Sequence, residues 1–260
     1  MALKKQHFAE GEIAIFDEDE KMKKYLRKIL SLINNVDAFF CASRMNRSPK
    51  RNLQNILWER ASVQSADFVE AHLGNVLIFQ AKKHMWIYVG KILNEDEHDG
   101  VCMEFGVAGG TSINWISNLL PNYKFVGFDS FVGLKEDWVG HHATKGTFSQ
   151  NGVLPKVNKN VVLVKGWFDE TLPKYIDENG IENLRFVHID CDTYEAAVAV
   201  FNELGDYLKP GVFVLFDELL GYPNWQNGEY KALHEAQSKY GFNFQYRAFS
   251  NHQALIEIIE

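Results

Sequence analysis

The sequence predicts an α/β protein: a mostly parallel sheet with helices on both faces and an antiparallel pair of strands at one edge. Three observations point there. From residue 100 onward, short apolar runs alternate with stretches of helical period. The first of these runs passes directly into a glycine-rich turn and a helix, Val101-Cys-Met-Glu-Phe-Gly-Val-Ala-Gly-Gly-Thr-Ser112. Acidic residues then recur just beyond the strands, which is where open sheets of this kind bind ligands.

Taken in order, residues 1–18 are acidic and irregular, and residues 21–33 carry Met22, Tyr25, Leu26, Ile29, Leu30 and Ile33 at helical spacing. A loop follows over 39–49, a second helix begins near Asn52, and residues 67–93 keep a helical period apart from a possible break at Gly74. The alternating region then begins. Strands are expected over 101–105, 124–129, 161–165, 185–190 and 212–216. Helices are expected over 111–120, stopped by Pro121, over 193–208, ended by Lys209-Pro210-Gly211, and over 228–240. Residues 242–247 and 253–259 form the closing antiparallel pair. The segment 133–160 is long and aperiodic, the mark of a functional lid or a disordered insert.

Composition narrows the function. A net charge of −7 and a pI near 5.7 argue against nucleic acid or an anionic membrane as main partner. The cluster Arg44, Arg47, Lys50 and Arg51 reads as a solvated turn. Three cysteines, Cys41, Cys102 and Cys191, are too few and too scattered for a disulfide framework, and Cys102 is expected as a buried thiol. No apolar run is long enough to span a membrane, and the N-terminus lacks a signal peptide's apolar stretch, so a cytoplasmic protein is expected. An apolar fraction of 46% suffices for a substantial core.

Glycines 106, 109 and 110 leave room for backbone amides to approach a ligand. Their Gly-x-x-Gly-Gly spacing is not the dinucleotide fingerprint Gly-x-Gly-x-x-Gly. Asp129, at the end of the second strand of the alternating region, suits a ribose diol, and no arginine nearby suggests a 2′-phosphate. Two apolar strands run into paired acids, Asp190 and Asp192 after one and Asp217 and Glu218 after the other. Carboxylates crowded together repel and are stable mainly around a hard divalent cation. Asp192 also reads as a helix cap with Glu195 as its capping-box partner. His188, inside a strand, reads as a satisfied core histidine. His141 and His142, with Trp138 and Phe148, either close over a substrate or pack on the surface. Residues 221–228, including Tyr222, form a second candidate substrate loop.

The runs Glu-Phe-Gly-Val-Ala-Gly-Gly-Thr-Ser and Gly-Phe-Asp-Ser-Phe-Val-Gly-Leu resemble class I S-adenosylmethionine-dependent methyltransferases. With Lys-Gly-Trp-Phe-Asp-Glu-Thr-Leu-Pro, Ile-Asp-Cys-Asp-Thr-Tyr-Glu and Leu-Lys-Pro-Gly-Val, the chain is most similar to the macrocin and mycinamicin sugar O-methyltransferase family over residues 70–260. The resemblance implies a Rossmann-like class I methyltransferase fold, a mostly parallel seven-stranded sheet with an antiparallel edge strand. Chain length and the change of pattern near residue 100 divide the chain into an N-terminal helical extension or cap (1–95) and a cofactor domain (96–260), expected together as one structural unit.

By the same resemblance Glu104, Gly106, Val107, Ala108, Gly110, Thr111 and Ser112 line the methionine end of S-adenosylmethionine. Asp129 and Ser130 hold its ribose, Gly166, Trp167 and Phe168 border its adenine, and Asp190 lies within its reach. Asp190, Asp217 and Glu218 ligate Mg²⁺ or another hard divalent cation, and Asp192 is the general base. The family carries Asp-Asp-Tyr where this chain has Asp217-Glu218-Leu219, a departure that bears on metal use. His141, His142, Tyr194 and Tyr222 are candidate acceptor contacts. The expected activity is metal-dependent O-methylation of a hydroxyl on a sugar or glycosylated metabolite, by a homo-oligomer, expected to be a dimer. A small diol or catechol O-methyltransferase, and a non-catalytic cofactor-binding scaffold on this fold, are the alternatives.

Overall fold

A computed structural model describes residues 52–95 and 98–260. The helix expected over 21–33, the loop over 39–49, Cys41 and the basic cluster at 44–51 lie outside the described residues. By its internal contacts the chain divides into residues 1–53 and 54–260, and every described strand lies in the second unit.

Helix α1 (Leu53–Glu70) is followed by strand β1 (Leu77–Phe79), helix α2 (Lys82–Glu95), β2 (Val101–Phe105), α3 (Thr111–Leu119) and β3 (Phe125–Asp129). Then come β4 (Val161–Lys165), α4 (Phe168–Asn179), β5 (Leu184–Ile189), α5 (Tyr194–Leu204), β6 (Phe213–Phe216), α6 (Glu229–Tyr240), β7 (Asn243–Ser250) and β8 (Gln253–Ile259). The strands form one eight-stranded sheet in the order β1-β7-β8-β6-β5-β2-β3-β4. β8 runs antiparallel to both of its neighbours, and the other strand pairs are parallel. This is the Rossmann-like arrangement expected, extended beyond the closing hairpin by one strand.

That extra strand is β1. Its three residues sit inside a run read as helical, because an isolated apolar triplet has no period of its own. It is held by parallel pairing to β7, Leu77 beside Ala248 and Phe79 beside Ser250. The second unexpected element is α4. Phe168, Leu172, Tyr175 and Ile176 recur along it at helical spacing and pack on the core, but Pro173 lies inside it and interrupts the helical sequence. Its local signals are the acidic first turn, Asp169 and Glu170, and Gly180 at its end. The helix expected over 193–208 is shorter, its last turn tightening into a 3₁₀ turn at Gly205–Tyr207.

Alternation along the strands divides the core between the two faces of the sheet. Met103, Phe105, Val126, Phe128, Val187, Ile189, Val214 and Phe216 pack on one face with Leu172 of α4, Val200 of α5 and Leu233 of α6. Cys102, Phe125, Phe186, Phe213 and Leu215 pack on the other with Met85 and Val89 of α2 and Ile113 and Ile116 of α3. Cys102 is fully buried, as expected. Each large apolar side chain in this core contributes about 1.5–3 kcal/mol over its exposed state. Phe68 anchors α1, its ring against Trp225, Tyr230, Tyr246 and Phe249. Among the described residues no helix is long and apolar enough to cross a membrane.

Candidate active site

Because β2, β3, β5 and β6 are parallel, their carboxyl ends meet at one rim. The hydrogen-bond ladder continues past the strands and ties the loops together. Gly106 N donates to Phe128 O at 3.0 Å, Asp190 N to Phe105 O at 2.9 Å, and Asp217 N to Ile189 O at 2.9 Å. Gly106 adopts φ 96°, and a Cβ there would lie 1.6 Å from the Asp190 carbonyl oxygen. Its missing side chain therefore serves the close approach of two strand ends. Gly110, at φ 79°, enters α3 in the left-handed region.

Asp129 braces the turn. Its Oδ2 accepts from Val107 N at 2.9 Å and Ala108 N at 2.7 Å, and its Oδ1 from Phe131 N at 2.6 Å. Asp129 also lines the cavity. Below the turn, Glu104 is buried and accepts from Ser112 Oγ and from His188 Nδ1, both at 2.8 Å.

The acids converge as expected, with one correction. Asp192 does not cap the following helix. Thr193 does, its Oγ1 accepting from Ala196 N at 3.3 Å. Asp192 instead adopts φ 67°, uncommon for a residue with a side chain and of a kind concentrated at functional sites. Asp217 Oδ1 accepts from Gln253 Nε2 at 2.5 Å, and its Oδ2 accepts from Lys82 Nζ. Lys82 Nζ also donates to Glu218 Oε1 at 3.3 Å. His188 is fully buried, and its Nε2 lies 3.8 Å from Asp217 Oδ1, an ion-pair separation beyond hydrogen-bonding distance. Among the described residues, neither His188 Nε2 nor the buried Glu218 Oε2 has a hydrogen-bond partner.

Charge crowding perturbs the whole group. Burial, then repulsion from Asp217, raises Asp190 and Glu218 well above the carboxylate range. The same two causes push Asp192 up to about 7. Burial acts to raise Asp217 too, but His188, Glu218 and Lys82 outweigh it and hold this carboxyl below its ordinary value. For His188 burial is outweighed by Asp217 and Glu104, which lift it to about 10. Ligand atoms of Asp190, Asp192 and Glu218 lie within 4.8 Å of one another, as do those of His188, Asp190 and Asp217. The first is an all-oxygen set suited to a hard divalent cation. The raised carboxylates and the unpartnered Glu218 oxygen fit such an ion.

Turn and acids share one cavity of about 570 Å³, within the range of small-molecule sites. Of the cofactor candidates, Gly106, Ala108, Asp129, Ser130, Trp167, Phe168 and Asp190 line it. Glu104, Val107, Gly110, Thr111, Ser112 and Gly166 are not among the residues that line it. Asp192, Asp217, Glu218, His141 and Tyr222 also face the cavity. His142 is exposed, its ring 4.1 Å from that of His141, and Tyr194 turns away to donate to Glu235 on α6.

Of the segment 133–160, residues between Gly133 and Phe148 contribute to the lining. Trp138 stacks on His141 at 4.1 Å and meets Tyr222 edge-on at 5.3 Å. The two candidate substrate loops touch where Gly140 lies against the Pro223 carbonyl. Sequence reading missed Trp58, Lys82 and His252, all of which line the cavity. Trp58 lies 5.6 Å from the His141 ring and 6.2 Å from that of His252. No local signal marks them: Lys82 stands 135 positions from Asp217 and, beside Lys83, reads as an ordinary solvated charge.

Residues 103–219 match a family described as a methyltransferase domain. Among solved structures, the calicheamicin methyltransferase CalS11 is similar with 25% identity and a TM-score of 0.55, covering 78% of this chain and 89% of that one. The O-methyltransferase NovP has 17% identity and a TM-score of 0.55, over 69% of this chain and 80% of that one, a likeness of fold. No curated protein sequence matches significantly.

Proposed function

We propose that this chain, which carries a methyltransferase domain on an S-adenosylmethionine-dependent class I fold, is a divalent-metal-dependent O-methyltransferase acting on a hydroxyl of a sugar or glycosylated metabolite. The observation that carries this reading is the meeting, in one cavity, of a glycine turn braced by Asp129 and the acids Asp190, Asp192, Asp217 and Glu218. The resemblance of the strand-end motifs to sugar O-methyltransferases supplies the acceptor class.

The cofactor would supply an electrophilic methyl group, and the cation would acidify and orient the acceptor hydroxyl. Asp190, Asp192 and Glu218 would hold that cation. The amides beside Gly106, with Asp129, Ser130, Trp167 and Phe168, would hold the cofactor, so that much of the acceleration is positioning. Asp192, beside the acceptor in that ligand set, would take the hydroxyl proton. Trp58, Trp138, His141 and Tyr222 form an aromatic wall against which the acceptor ring stacks while water is excluded. That wall also suits a catechol, so a small aromatic diol is the second reading.

The test is calorimetric binding of S-adenosylhomocysteine against NAD, followed by methyl transfer to nucleotide sugars, glycosides and catechols with and without Mg²⁺. Binding of NAD in preference to S-adenosylhomocysteine would sink the cofactor assignment. Cofactor binding without metal binding or transfer to any acceptor would favour a scaffold. A homodimer is the proposed assembly, checked by light scattering.

A further inference from the structure

We propose that Lys82 is the standing counter-cation of the carboxylate cluster, so that a divalent ion entering at Asp190, Asp192 and Glu218 competes with its ammonium group. The inference rests on the reading of these acids as a metal site.

Asp217 is already committed within the protein, one oxygen to Lys82 and the other to Gln253. Glu218 is shared: Oε1 accepts from Lys82, while Oε2 is buried and without a partner among the described residues. The ligand atoms of Asp190, Asp192 and Glu218 are within 4.8 Å of one another. An ion held by that set meets the ammonium across a single carboxylate, and two cations so close repel strongly in a partly buried site. Lys82 is the first residue of α2, and its side chain is 41% exposed, so it has room to swing outward. Without metal it offsets part of the mutual repulsion of the acids; with metal it is displaced from Glu218. Lys82 thereby weakens metal binding and makes Asp217 a partner of lysine more than a ligand.

The test is Mn²⁺ binding, by titration calorimetry or electron paramagnetic resonance at one fixed pH, to the wild type, Lys82→Met and Lys82→Arg. Removing the charge should tighten Mn²⁺ binding by about tenfold or more, whereas the arginine variant should stay within about threefold of wild type. A folded Lys82→Met protein that binds Mn²⁺ no more tightly than wild type overturns the proposal. So does absence of Mn²⁺ binding in both. Should the methionine variant fail to fold, acylation of lysines in the wild type, mapped by mass spectrometry, takes its place. Lys82 labelling should rise at saturating Mn²⁺, and unchanged labelling refutes displacement. S-adenosylhomocysteine binding measured on the same samples reports separately on the methyltransferase reading.

Discussion

The two ends of the cavity are built differently. The glycine-turn end comes from nearly contiguous chain: β2, the turn, α3 and the end of β3, joined by hydrogen bonds that span 21 and 22 positions between Asp129 and the turn amides. The acid end is assembled from distant segments. Asp190 and Asp192 follow β5, Asp217 and Glu218 follow β6, and the cation that holds the latter pair arrives from α2, 135 positions away from Asp217. A contiguous site is rigid and announced by a motif. An assembled one is tunable, because each charge is set by neighbours that no local pattern names.

Substitution at the turn should have the largest effect. Gly106→Ala would drive a methyl group into the Asp190 backbone and couple damage at both ends. A loss of about 4 kcal/mol or more is expected, seen as a collapse of the thermal midpoint together with lost S-adenosylhomocysteine binding. A normal midpoint would show that the two strand ends are less tightly joined than the geometry says.

Asp192→Asn should separate the ends. It is expected to lower kcat by about 10²–10⁴-fold while leaving the Kd for S-adenosylhomocysteine within about threefold. Near-normal turnover on a confirmed acceptor would remove Asp192 as base. The pH profile sharpens the same point. Since Asp192 must be ionised to accept a proton, kcat should rise with pH through one ionisation, held below about 7 by the bound cation, and then level off, and Asp192→Asn should abolish that limb.

Linkage makes the cluster a stability sensor as well. Between the ordinary value of 3.8 and about 7, folded Asp192 binds more proton than the unfolded chain, so its contribution to stability falls as pH rises through that window. Asp192→Asn should therefore gain stability relative to wild type between pH 5 and about 8 in metal-free buffer, as measured by urea unfolding at several pH values. The smallest expected effect lies at the wall: Trp58→Ala should raise the KM for acceptor about 3–10-fold with cofactor affinity unchanged.

Much of this architecture was legible from residue order. Val101–Phe105, Val161–Lys165 and Gln253–Ile259 are strands with the bounds their apolar runs imply. The acids beyond β5 and β6 meet because parallel neighbours share a carboxyl rim. β1 escaped because three residues carry no period, and α4 because Pro173 interrupts its helical pattern. The cap passed from Asp192 to Thr193 because a single left-handed residue shifts the helix entry by one position, a backbone choice that side-chain identity does not reveal.

By itself the sequence determined the alternating sheet, the place of the glycine turn and the recruitment of acids to one rim, since strand period and parallel pairing are local and topological properties. Tertiary structure alone decided what Gly106 makes room for, which cation Asp217 meets and which aromatic rings wall the cavity. Those depend on through-space approach between segments far apart in the chain, where Coulomb and packing forces act and sequence distance has no bearing.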